Sequence, residues 1–185
     1  MIITDFLYHA LGKKYSLSHI HLCKSAVVNT HILAYICLCT HIDIGSSMPR
    51  PDGKGNIIVQ PESQPVYLWQ CMLHSGPWLL DDFSNIFAQY KKYWDEIENF
   101  MVKDSIFPWA ALMCLQAPKP LSDMIKSLLG VIYIDLGGSF DTVQAVLRKL
   151  GILDIIEHIV SEDVNILHPV SHLGVWALKQ GKKIE

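Results

Sequence analysis

Apolar residues fall at Ile3, Phe6, Leu7 and Ala10, the spacing of one helix face, so the chain is expected to open on a helix. Gly12-Lys13-Lys14 breaks that pattern, and Ser16 and Ser18 stand where a second helix would be capped. The second helix carries Ile20, Cys23, Val27, Val28, Ile32, Leu33, Tyr35, Ile36 and Cys39. It is apolar nearly all round and is therefore placed at the centre of the fold. Its most apolar run, Ala26 to Thr40, contains Asn29 and His31. That run falls short of the roughly 20 apolar residues needed to span a bilayer, so it is read as a core helix and not an anchor.

From Ser46 to Gln64 the chain is rich in Gly, Pro, Ser and Asp, and Ile57-Ile58-Val59 is its one apolar group. A loop of that length is uncommon inside a compact domain, which marks it as an insertion. An apolar pattern resumes at Val66 to Leu73. Asp81 or Asp82 is then expected to cap an amphipathic helix. Its stripe is Ile86, Phe87, Tyr90, Tyr93, Trp94, Ile97, Phe100 and Met101, with Lys91, Lys92, Asp95, Glu96 and Glu98 mostly opposite. Phe107-Pro108-Trp109 opens a short apolar helix, closed by Pro118 and Pro120. Leu121 to Asp135 is the next, capped by Ser122 or Asp123 and ended by Gly137-Gly138. Phe140 to Leu150 is amphipathic, and Ile152 to Val160 adds one more turn or two. After His168-Pro169 the chain runs through Val170 to Trp176 into a basic, polar end. No strand pair and no repeat stands out, so the class is all-α.

Composition narrows the functions. Of 185 residues half are hydrophobic and 18% are charged, which excludes a disordered tail. The formal net charge is −3, without the strongly basic balance of an autonomous nucleic-acid binder. Any contact with nucleic acid has to come from local patches or through a partner. Cys23, Cys37, Cys39, Cys71 and Cys114 make an odd count. Asp5, His9 and Gly12 interrupt the first apolar stretch, so no signal peptide is read there. Together these point to free thiols in a reducing intracellular compartment, cytoplasm or nucleus, with the mitochondrion as the alternative.

Several groups of residues could carry chemistry. His19-x-His21, Cys37-x-Cys39-x-His41 and His168-x-x-x-His172 hint at zinc. Structural zinc usually needs two clusters of paired ligands, and Cys37 and Cys39 on one helix would point to different faces. No Cys-His-Asn pattern supports a cysteine nucleophile. The aromatic stripe beside Lys91 and Lys92 could stack bases, but at helical spacing it is read as core. Lys179, Lys182 and Lys183 could touch phosphate and are read instead as a solvated terminus.

One stretch is more specific. Pro118-Lys119-Pro120-Leu121-Ser122-Asp123-Met124-Ile125-Lys126-Ser127-Leu128-Leu129-Gly130-Val131-Ile132-Tyr133-Ile134-Asp135 resembles the second signature of the ribonuclease III family. Met1 to Tyr8 is similar to the back half of the helix that bears the family's first signature. Leu22 to Asn29 resembles the segment that follows it. Leu68 to Ser75, Phe107 to Ala110 and His168-Pro169 are similar to the second ribonuclease III domain of fungal Dicer-like proteins.

The resemblance implies an all-helical domain that pairs with a second such domain or with its own copy. In the family each site cuts one strand of double-stranded RNA, and four carboxylates hold Mg²⁺ ions that activate water. Asp123 fills the Asp position of the second signature, but Lys126 stands where the Glu belongs. Protonated lysine has no lone pair and cannot ligate Mg²⁺, so an ion pair with Asp123 is expected in its place. The two carboxylates of the first signature would align upstream of Met1. Asp123 is therefore a vestigial metal ligand, and no bound Mg²⁺ is expected.

The chain is accordingly read as a ribonuclease III-like domain over 1–175, with an insertion at about 45–105 and a polar tail at 176–185. The function expected is double-stranded RNA processing in a Dicer-like lineage, with impaired catalysis and weak or partner-mediated RNA contact. Two other readings remain. One is an active endoribonuclease completed by further sequence or a partner, against which Lys126 counts. The other is a non-catalytic RNA-associated protein, such as a mitochondrial ribosomal ribonuclease III-like subunit. No membrane partner is expected.

Overall fold

The computed structural model describes residues 2–11, 15–46, 50–51, 57–58, 62–73, 76–103 and 106–182. The Gly12-Lys13-Lys14 break, much of the predicted insertion loop and Lys183 lie outside them.

The domain is helical, as its periodicity predicts. In chain order the helices are α1 (Ile2–Leu11), α2 (Leu17–Val27), α3 (Thr30–Cys39), α4 (Pro77–Lys103), α5 (Trp109–Cys114), α6 (Lys119–Asp135), α7 (Phe140–Lys149), α8 (Ile152–Ser161) and α9 (Pro169–Lys179). A short 3-10 turn spans Leu68–Cys71. No single helix among the described residues is long and apolar enough to cross a membrane.

The expected long second helix is in fact two. α2 and α3 meet at a 44° bend. Asn29 makes the break: it leaves helical geometry at φ −70°, ψ 161°, and its Oδ1 accepts the Ile32 N–H at 2.9 Å. Its carboxamide also donates to the Ala26 carbonyl. A short polar side chain offers the backbone a partner that competes with the helix, which makes Asn a cap rather than an interior residue. Ser16 caps α2 as expected, accepting the His19 N–H.

The stretch after α3 is not purely loop. Strands β1 (His41–Ser46) and β4 (Glu62–Tyr67) pair antiparallel, from His41 opposite Tyr67 to Ser46 opposite Glu62. Between them β2 (Arg50–Pro51) and β3 (Ile57–Ile58) pair as a second small ladder. The rich content of turn residues hid strands that are short and largely polar.

α3 is the centre. Ile32, Leu33, Ala34, Ile36, Cys37 and Leu38 are all buried. It packs most extensively against α6 and also touches α2, α4, α5 and the 3-10 turn. Of the predicted α4 stripe, Tyr90 and Ile97 are fully buried, as is Phe83 ahead of it, while Ile86, Phe87, Tyr93 and Trp94 are partly buried and pack against the core; the side chains of Phe100 and Met101 lie outside the described residues. Tyr90 meets Tyr35 of α3 at 5.6 Å, and Phe87 meets Tyr67 at 4.5 Å and Trp69 at 5.4 Å between ring centroids. These rings fasten the strand pair and the 3-10 turn to the helices.

Three helix boundaries differ from expectation. α4 begins at Pro77, ahead of Asp81 and Asp82, with proline in the first turn, where its missing N–H costs nothing. α6 begins at Lys119 for the same reason, with Pro120 in its first turn, so neither Ser122 nor Asp123 is its cap. Ser122 is wholly buried and its hydroxyl donates back to the Lys119 carbonyl at 2.9 Å. α9 runs on to Lys179, into the stretch read as a polar tail. The glycine exit of α6 is as expected. Gly137 has φ +64°, and the Gly138 N–H donates to the Tyr133 carbonyl at 2.8 Å, the bond that closes a left-handed helix end.

Replacing the capping side chain tests the α2–α3 break. Asn29→Ala is expected to destabilise the domain by about 1 kcal/mol. It should lower the urea midpoint without changing the slope of the transition. An unchanged midpoint would mean that the bend is held elsewhere.

Candidate functional site

α6 turns Leu121, Ser122 and Ile125 into the core. Residues 119, 123 and 126 are successive near-turns of the same helix on its other side, so their side chains meet in the open. Lys119 Nζ donates to Asp123 Oδ2 at 2.6 Å, and Lys126 Nζ donates to Oδ1 at 3.4 Å. Each oxygen of the carboxylate thus faces an ammonium group. The Lys126 pair is the one expected from the sequence. The shorter Lys119 pair was missed, although its i, i+4 spacing was there to be read.

The group is exposed: Asp123 keeps 40% of its side-chain surface and Lys126 keeps 47%. The hydrogen bond from Lys119 is the main cause that holds the Asp123 carboxyl below its usual range. Desolvation opposes it, and the Lys126 hydrogen bond and the two positive charges reinforce it.

This arrangement does not fit the Mg²⁺ that the family resemblance implies. Mg²⁺ asks for near-octahedral oxygen ligation and gives up its waters reluctantly, and then mainly to carboxylates and phosphates. Here both oxygens of the one carboxylate already accept from ammonium groups, which would repel a divalent cation. Among the described residues no three His, Cys, Asp or Glu side chains lie close enough to hold a metal.

The other candidate groups resolve into structural roles. Cys37 is buried and Cys39 partly buried, while His41 is exposed, its Nδ1 3.1 Å from the Cys39 carbonyl. Burial pushes the Cys37 thiol up to about 12 and the Cys39 thiol up to about 11, so neither offers a thiolate at neutral pH. His19 stacks on Tyr15 at 4.5 Å. His168 caps α9, its Nδ1 accepting the Val170 N–H at 3.3 Å. Lys91 lies 4.8 Å from the Phe87 ring centre and Lys92 5.9 Å from that of Tyr93, at the rim of a stripe that is otherwise core. Lys182 lies 6.0 Å from the Trp176 ring centre beyond α9.

Two measurements check these assignments. Lys119→Met should raise the Asp123 pKa, followed by NMR of its carboxyl carbon, and Lys126→Met should raise it less. Because the folded value is depressed, the ion pair stabilises the fold above the unfolded-state pKa of Asp123. That contribution is lost as pH falls through the folded value. The Lys119→Met protein should therefore show a weaker acid dependence of stability; an equal one would show that the pair is not formed in solution. Separately, a thiol-alkylating reagent under native conditions should label exposed Cys71 and Cys114 and spare buried Cys23 and Cys37. Early labelling of Cys37 would contradict its placement in the core.

Comparison with known proteins places this geometry in a lineage. No family model matches the chain, and no solved structure matches it. Similar proteins do exist among curated sequences. The chain is 34% identical over 173 residues to Dicer-like protein 2 of Phaeosphaeria nodorum, covering 94% of this chain and 12% of that protein. It is 30% identical over 158 residues to Dicer-like protein 2 of Coccidioides immitis, covering 85% of this chain and 11% of that one. It is 27% identical over 169 residues to Dicer-like protein 2 of Aspergillus oryzae, covering 91% and 12%. The chain thus spans about an eighth of the length of these relatives. These similarities, with the all-helical fold, support a Dicer-like, ribonuclease III-related region in this chain.

Proposed function

We propose that the chain acts in double-stranded RNA processing as a ribonuclease III-type domain whose own metal centre is impaired. The observation that carries this is the α6 group: Asp123 accepts from Lys119 and Lys126, where the family pattern calls for a second carboxylate at position 126. Exchanging Glu for Lys there shifts the local charge by two units. It turns a cation site into one that repels cations. The relatives' names favour a Dicer-like lineage over the mitochondrial ribosomal alternative.

The partner that fits is another ribonuclease III domain or a second copy of this one. α6, the turn after it and the first residue of α7 leave Val131, Ile134, Leu136 and Phe140 exposed, with Ile134 at 75%. Apolar residues gathered on one face are a hallmark of surfaces that pair. RNA contact is then made by the pair rather than by this chain alone. All five thiols are free, which supports a reducing intracellular compartment.

The test is cleavage of a long double-stranded RNA in Mg²⁺ by the purified chain. No product is expected. Metal-dependent product that disappears in Asp123→Ala would overturn the impaired-site reading. Product that survives Asp123→Ala would show that the chemistry lies elsewhere in the chain.

A further inference from the structure

α1, the end of α2, the middle of α6 and α7 leave a cavity of about 340 Å³ between them. Ile3, Val28, Leu129, Val143 and Leu147 line it with aliphatic side chains. The rings of Tyr133 and Phe140, 5.5 Å apart between centroids, add an aromatic wall. Gly130 also lines it and helps to keep it open. α6 passes there without a side chain, and a Cβ at that position would meet nothing within 4 Å.

Lys24 is the one charged residue in this lining, and it is half-buried. No carboxylate among the described residues pairs with it. The ion pairs there join His9 to Asp5, Lys119 and Lys126 to Asp123, and Arg148 to Asp154 and Glu157. Exposed cations thus have counter-ions, while a half-buried one beside an apolar cavity has none. That is the reverse of what burial calls for, because a cation partly withdrawn from water gains most from an anion at close range.

We propose that this cavity binds a small amphipathic carboxylate, an aliphatic chain ending in one ionised acid group. The walls suit the chain, and the volume suits one of roughly eight carbons. The carboxylate supplies the counter-ion that Lys24 lacks. One ammonium group with a single tyrosine hydroxyl matches a monoanion; a phosphate or a nucleotide would bring more polar atoms than this lining can pair.

Neither Lys119, Asp123 nor Lys126 lines the cavity, so the site stands or falls apart from the metal-site reading. Phe140 belongs both to this lining and to the exposed apolar group after α6. A second copy of the chain is therefore the competing occupant, and the test separates the two.

The test uses the full chain with ¹³C-labelled Ile, Leu and Val methyl groups, titrated with sodium octanoate and separately with octan-1-ol. The methyl signals of Ile3, Val28, Leu129, Val143 and Leu147 should shift together and saturate, with octanoate bound about tenfold more tightly than the alcohol. Lys24→Met keeps an unbranched apolar stem. It should bind the alcohol as before and lose the preference for the carboxylate. Gly130→Leu fills the gap from α6 and improves helix propensity, so it should keep a dispersed, folded spectrum and bind neither probe. Shifts that never saturate, equal affinity for the two probes, a preference that survives Lys24→Met, or undiminished binding by Gly130→Leu would overturn the site. Signals of the same methyl groups that move on dilution of the ligand-free chain would give the cavity to a second copy and overturn it as well.

Discussion

The enclosure of α3 is the constraint on which the domain depends. A helix with apolar side chains on every face cannot lie at a surface, so other elements have to surround it. α6 covers the largest part, with Leu121 and Ile125 fully buried against it. Each such side chain contributes about 1.5–3 kcal/mol by leaving water. The rings of α4, Tyr67 and Trp69 close another side. Removing that enclosure would cost the fold far more than any surface ion pair contributes.

That packing also decides where the candidate chemistry lies. Leu121 and Ile125 face inward, so Asp123 and Lys126 face outward on the same helix. Fold and site occupy opposite faces of α6. A change at position 126 therefore leaves the core untouched while reversing the local charge. Lys126 and Asp123 thus form an exposed ion pair that leaves the packing of α6 undisturbed. The same division explains why the α6 stretch reads clearly in the sequence: Leu121, Ser122 and Ile125 serve packing and Gly137-Gly138 the helix exit.

Much of the fold was legible because long apolar periods dominate it. The α4 stripe, the glycine exit at Gly137-Gly138 and the central apolar run all follow from spacing. What escaped was local chemistry that spacing does not capture. Asn29 divides the central run because its side chain competes for backbone hydrogen bonds, and an apolar average conceals that. β1 and β4 are short and mostly polar, so their turn-rich surroundings masked them. Lys119 reads as part of a Pro-Lys signature, and its reach to Asp123 shows only once α6 is known to begin there.

The most direct measurement on the metal centre is a Mn²⁺ titration of the ¹⁵N-labelled chain, with Mn²⁺ as a paramagnetic stand-in for Mg²⁺. If Asp123 is held by Lys119 and Lys126, the amide signals around it should broaden no more than those near other exposed carboxylates. Selective, saturable broadening at Asp123 and its helical neighbours at low Mn²⁺ would mean that the carboxylate binds a metal, and the proposed impairment of the site would be contradicted.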